Sequence, residues 1–178
     1  MKKLFGLLAV ILIVSGCATF TPQQYSISVD NNAALRSLNG MTVNVGPFTS
    51  APSIKNEVMC RGAGPISTPD KNPFSEYIRK ALIDELKVAN AFSATAPATI
   101  TGKLEAIDFS SMEGRWNIKL TLNSSNGKSM AVTENYSYET SFEGVRACEQ
   151  TAKSLMPAVQ SLIGRLARSQ EFAALVSP

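Results

Sequence analysis

The stretch RWNIKLTLNSSNGKSMAVTENYSY, Arg115–Tyr138, carries the clearest fold signal in this 178-residue chain. Trp116, Ile118, Leu120 and Leu122 alternate with Arg115, Asn117, Lys119 and Thr121, which is the pattern of a strand with one buried and one wet face. Asn126-Gly127 is a strong hairpin signal. Met130, Val132, Tyr136 and Tyr138 then form a returning strand whose parity is expected to break near Glu134. Upstream, ATITGKLEAIDFSS (98–111) supplies a third strand, joined through a turn at Ser110–Gly114. Three strands linked by hairpins must run antiparallel to one another, as a meander.

Working outward, the segments on either side of the meander read as helices. In NPFSEYIRKALIDELKVAN (72–90), Asn72 is a candidate cap, Pro73 suits the first helical position and Glu76 lies in the positive first turn. Phe74, Ile78, Leu82 and Leu86 recur every four residues and mark the buried face, whereas Arg79, Asp84, Glu85 and Lys87 read as its solvated face. After the meander, Val145, Cys148, Ala152, Leu155, Val159, Leu162 and Leu166 keep helical spacing, with Pro157 expected to kink or divide the helix. Ser169 is expected to cap a last short turn that docks through Phe172 and Leu175. Near the N-terminus, YSISV (25–29) and MTVNV (41–45) alternate in period two and read as short strands, the second following the turn signal Asn39-Gly40. Residues 46–72 carry Pro47, Pro52, Pro65, Pro69, Gly62 and Gly64 and no sustained period. They read as a long loop, either a binding surface or a plain solvated crossover. The expected fold class is α+β, a two-layer sandwich with a mixed sheet and two amphipathic helices on one face.

The first line has a separate logic. Lys2 and Lys3, the apolar run Leu4–Val14 and the small pair Ser15-Gly16 have the layout of a secretory signal, residues 1–16. The run is too short to span a bilayer, which takes roughly 20 apolar residues. Val14-Ser15-Gly16-Cys17 resembles the bacterial lipobox at all four positions. That resemblance implies cleavage before Cys17 and fatty acylation, such as palmitate, on its sulfur and new amino group. Two or three such chains, at about 0.8 kcal/mol per buried methylene, hold a protein firmly on a membrane. Ala18 is not the aspartate that in enteric bacteria retains lipoproteins at the inner membrane. The implied destination is therefore the inner leaflet of the outer membrane, facing the periplasm, with 17–24 as a lipidated tether and 25–178 as one domain.

Composition narrows the chemistry. Loss of Lys2 and Lys3 with the signal leaves 162 residues with 15 basic against 14 acidic side chains, a formal charge of +1 in place of +3. Nothing in that balance supports nucleic-acid binding, which depends on clustered cations. Histidine is absent, which removes imidazole-based triads and imidazole metal sites. With Cys17 lipidated, Cys60 and Cys148 remain, too few for a closed zinc site. In an oxidising compartment they read as one disulfide. Two free or redox-active thiols are the alternative, disfavoured because neither lies in a C-x-x-C pair. No metal and no cofactor are expected.

The lipobox, the capped helix at NPFSEYIRKALIDEL, the meander ending in NYSYETSFEGV and the closing SQEFAALV together resemble the YajG-like outer-membrane lipoproteins. More distantly, the layout is similar to the auxiliary lipoproteins of envelope ABC transport systems. The resemblance implies a periplasmic α+β domain without established catalytic residues, serving envelope maintenance or transport. The cysteine pair is not part of that pattern. The expected function is a non-enzymatic binding or scaffold lipoprotein with envelope protein partners, and a structural subunit of a secretion or surface assembly is one alternative. The other is a glycan hydrolase, since two carboxylates suffice for that chemistry, with Glu105, Asp108, Glu113 and Asp70 as the available groups. Glu105 and Asp108, three apart on a strand, are expected to point to opposite faces.

Overall fold

The alternation at Arg115–Ser124 becomes an interior strand of a four-stranded sheet. In a computed structural model describing residues 19–38 and 40–177, the elements run α1 (Val29–Arg36), β1 (Val43–Ser50), β2 (Glu57–Cys60), β3 (Gly64–Ser67), α2 (Phe74–Val88), β4 (Ala98–Ser110), β5 (Arg115–Ser124), β6 (Ser129–Ser137), α3 (Gly144–Ala167) and α4 (Gln170–Val176). The large sheet has the order β1-β4-β5-β6, with β1 parallel to β4 and the rest antiparallel. A second, two-stranded sheet is the hairpin β2-β3. The signal, the lipobox and Asn39 lie outside the described residues.

The chain is thus an open α+β fold with its core between the sheet and the helices. Trp116, Ile118, Leu120 and Leu122 of β5 are fully buried, as are Ile78, Leu82 and Leu86 of α2 and Leu155, Val159 and Leu162 of α3. Trp116 directs its indole N–H to the Thr151 carbonyl (2.9 Å) and the Ser154 hydroxyl (3.1 Å) of α3, so the largest core side chain is satisfied as well as buried. The other face of the sheet presents Thr101, Lys103, Asn117, Lys119, Thr121 and Asn135, all at least partly exposed.

Five sequence expectations change here. YSISV is not a strand: residues 25–28 are irregular, and Ser28 caps α1 by accepting from the Asn31 N–H. Residues 46–72 are not a structureless loop, because β1 runs on to Ser50 and the β2-β3 hairpin follows. Pro47 sits where the β1–β4 register slips between Val45 and Phe48, a place where a residue without an N–H is tolerated. At the start of α2 the N-cap is Pro73 rather than Asn72, and it makes no side-chain cap bond. The parity of β6 does not break: Glu134 continues the buried register of Met130 and Val132, and its carboxylate accepts from the Arg165 guanidinium of α3. Finally, α3 is not divided at Pro157 but runs through it as one helix, which leaves the kink as an expectation, and its N-cap is Glu143, whose carboxylate accepts from the N–H groups of Val145 and Arg146. Those two bonds hold the Glu143 carboxyl below the usual carboxylate range.

The turn expected at Ser110–Gly114 forms as read, with the Gly114 N–H on the Ser110 carbonyl at 2.9 Å. Gly114 has φ +66°, and a Cβ there would strike the Tyr138 carbonyl. Gly127 has φ +83° with open space around it. Gly114→Ala is therefore expected to cost about 2 kcal/mol or more, against about 1 kcal/mol for Gly127→Ala, where only backbone strain acts. Urea unfolding of the two variants side by side checks this, and equal losses would contradict it.

Candidate functional site: a slot between two strand edges

β4 is the longest strand, and its two halves have different neighbours. From Ala98 to Leu104 it pairs with β1 on one side, and from Ile100 onward with β5 on the other. The register to β5 then slips between Leu104 and Ala106, a β-bulge at Glu105. The last β1 bonds fall at the same level, where the Ala51 N–H meets the Leu104 carbonyl at 2.9 Å and β1 turns away. From Glu105 onward β4 has only β5 as a strand partner among the described residues, so its other edge is free.

β2 lies across from that free edge. Its chain leaves β1 through residues 51–56, and its far end is tied to the far end of β4 by Arg61. That side chain donates to the Ser111 hydroxyl (2.9 Å), the Ser111 carbonyl (2.6 Å) and the Phe142 carbonyl (3.1 Å). β2 pairs with β3 alone, and β3 in turn with Phe20 through a parallel bridge at Ile66. The Cys60–Cys148 disulfide, with Cα atoms 5.8 Å apart, fixes the same end of β2 to the start of α3. The pairing read from the sequence is thus formed, and the free-thiol alternative is set aside. Between these fixed ends lies an open cavity of about 650 Å³, lined by Glu57, Val58 and Met59 of β2 with Pro65 of β3 on one side, by residues 105–108 of β4 on the other and by residues 53–55.

The bulge also overturns the expectation for the two carboxylates. One extra residue between Glu105 and Asp108 restores their parity, so both line this cavity together with Glu57. Glu105 is paired with Lys103 at 2.9 Å, and Asp108 accepts from the Asn117 amide at 3.0 Å. The remaining candidates lie elsewhere. Asp70 accepts from Gln24 in a smaller pocket beside α2, and Glu113 pairs with Arg115 in the β4–β5 turn. No group of three or more Cys, Asp or Glu side chains that could hold a metal occurs among the described residues.

Against known proteins, no family model and no curated sequence matches this chain. Among solved structures it is similar to protein XCC0632 from Xanthomonas campestris, which carries the family-model label DUF330. The identity is 10% and the TM-score 0.48, over 84% of this chain and 90% of that one.

The second polar centre, missed in the sequence, is Glu85. Expected on a solvated face, it is fully buried, because the N-terminal segment and α1 cover that side of α2. Its Oε1 accepts from the Tyr25 hydroxyl (2.7 Å), the Ser28 N–H (2.9 Å) and the Asn31 amide (3.3 Å). Burial first, and then the bond to Glu85, push the Tyr25 hydroxyl well above the ordinary tyrosine range. Asn31 also donates to the Gln160 carbonyl of α3 at 2.8 Å. This centre joins the entry segment to both long helices. Residues 20–24, expected as a tether, are likewise held to the body: Phe20 is buried, and the Tyr77 hydroxyl donates to the Gln23 carbonyl.

Proposed function

We propose that this chain is a lipid-anchored scaffold or binding module, without enzymatic activity, held at the inner leaflet of the outer membrane and facing the periplasm, where it works with envelope protein partners in assembly or lipid transport. The observation that carries the reading is how few residues separate Cys17 from the first bonds to the hairpin. Phe20, three residues after the lipobox cysteine Cys17, already donates its N–H to the Pro65 carbonyl (2.9 Å), and its own carbonyl accepts from the Ser67 N–H (3.1 Å). Three extended residues reach about 11 Å at most. Acyl chains on Cys17 would therefore hold the disulfide-bonded hairpin close to the bilayer instead of letting it swing on a long leash. A disulfide of this kind persists in an oxidising compartment. Among the described residues no helix is long and apolar enough to cross a membrane, so attachment through such a helix is not available to them.

The reading is tested by fractionating cells that express the wild-type chain and Cys17→Ser. The wild type is expected in the detergent-soluble membrane fraction, and the variant is expected to lose most of that association and to retain its uncleaved leader. Equal membrane fractions and equal processing would overturn it. The glycan-hydrolase alternative draws on the shared cavity of Glu105 and Asp108. Turnover of peptidoglycan fragments that is lost in both Glu105→Gln and Asp108→Asn would establish it.

A further inference from the structure

We infer that the slot between β4 and β2 is a strand-addition site, which takes about four residues of an extended, basic peptide from a partner protein. This goes beyond the reading above and holds whether or not Cys17 carries lipid.

Three observations converge on it. First, both long walls are strand edges without a strand partner: β4 from Glu105 to Ser110 pairs only with β5, and β2 pairs only with β3. Edges of this kind are a standing template for another chain, and proteins commonly cover or blunt them. Here the two edges border one cavity. A strand entering it could bond to both and join the hairpin to the main sheet.

Second, the space has the right size. The cavity, about 650 Å³ and open to solvent, runs along Glu57, Val58 and Met59 of β2, itself 4 residues long, and at a rise near 3.3 Å per residue an added strand of about four residues would match that wall. The slot is also held open. β1 turns away at Ala51, while Arg61 and the Cys60–Cys148 bond fix the opposite end, so the hairpin is kept beside β4 without pairing with it.

Third, the lining selects an occupant. Glu57, Glu105 and Asp108 face Lys55, and Lys103 at the margin offsets Glu105, which leaves an acidic surplus. Ile54, Val58, Met59 and Pro65 add apolar contact. A peptide that alternates apolar and basic side chains would meet both features, with main-chain bonds supplying affinity and alternate side chains specificity.

The test uses the full chain in detergent micelles, with a fluorescent peptide of about seven residues alternating valine and lysine. A second peptide of the same sequence is N-methylated at alternate residues, which removes the donors along one edge. The unmodified peptide is expected to bind and to slow amide exchange at 105–110 and 57–60. N-methylation is expected to weaken binding at least tenfold. The surface variant Glu57→Lys with Asp108→Lys is also expected to weaken it at least tenfold and to prefer the glutamate-for-lysine peptide. The same results are expected in a Cys17→Ser background. No binding at millimolar peptide, equal binding of the N-methylated peptide, protection located elsewhere, or an unchanged affinity in the charge-reversed variant with wild-type melting would each overturn the assignment.

Discussion

Glu85→Ala is expected to lower the stability of the fold by about 3–5 kcal/mol, because it strands three donors that share one buried acceptor. The substitution leaves the Tyr25 hydroxyl, the Ser28 N–H and one Asn31 N–H without their shared acceptor, in a place where Glu85 itself is wholly buried. Each stranded donor carries a desolvation penalty of about 1–3 kcal/mol, partly relieved if the entry segment lifts into water. For a chain of this size the melting temperature should fall by about 6–20 °C. Glu85→Gln keeps an acceptor oxygen at the same position and should recover much of the loss. Hydrogen exchange locates the effect: residues 25–36 should become labile while β5 stays protected. If the two variants melt together, near the wild type, the centre does not hold the entry segment to the helices.

Removing the disulfide is the second large effect. Cys60 and Cys148 close a loop of 88 residues. In the chain-entropy account that constraint contributes at most roughly 4.6 kcal/mol, and losses on deleting a native bond run about 2–5 kcal/mol. Both sulfurs are buried, so the paired change Cys60→Ser with Cys148→Ser also places two hydroxyls in apolar surroundings. The expected fall in melting temperature is about 4–20 °C. Cys60→Ala with Cys148→Ala, and reduction of the wild type, should give losses of similar direction without the hydroxyls. Beyond stability, the slot should lose one of its two end fixings and only the Arg61 bonds to Ser111 and Phe142 would remain. Unchanged melting on reduction would mean that the hairpin is held by its other contacts alone.

Where the sequence was legible, burial followed directly from period. β5 is legible residue by residue because its inward side chains from Trp116 to Leu122 are apolar and its outward ones polar, with only the terminal Ser124 a buried polar exception, and the stripes of α2 and α3 are readable for the same reason. Elsewhere the deciding contact was tertiary. α1, VDNNAALR, is polar on average and buries only Asn31 and Leu35, so its stability comes from α2 and α3 rather than from a stripe of its own. A local signal was present nonetheless: Ser28 as a cap, Asp30 in the first turn and Arg36 in the last. The alternation of Tyr25, Ile27 and Val29 points the other way, to a strand. The β2-β3 hairpin hid behind its prolines. Pro65 fits β3 because it offers only its carbonyl, which the Phe20 N–H uses, and the tight turn rests on Arg61 and Gly62, both at positive φ.

The candidate site was half legible. Cys60 and Cys148 pointed to the fixed end of the slot, and Glu105 and Asp108 were recognised as available carboxylates. The bulge that brings those two onto one wall leaves no mark in the sequence, because it follows from how β4 changes partners at Leu104. Glu134 and Glu85 depart from the sequence expectation for a related reason: a polar side chain in a buried register is stable only with a partner from another element. Arg165 of α3 serves the first, and Tyr25, Ser28 and Asn31 serve the second.

The most direct measurement is the intact mass of the chain extracted from membranes, before and after reduction and treatment with iodoacetamide. The account predicts an N-terminus at Cys17 carrying acyl mass, no alkylation before reduction and two alkylated thiols after it, Cys60 and Cys148. A chain that still begins at Met1 without acyl mass, or that alkylates at three cysteines, would contradict it.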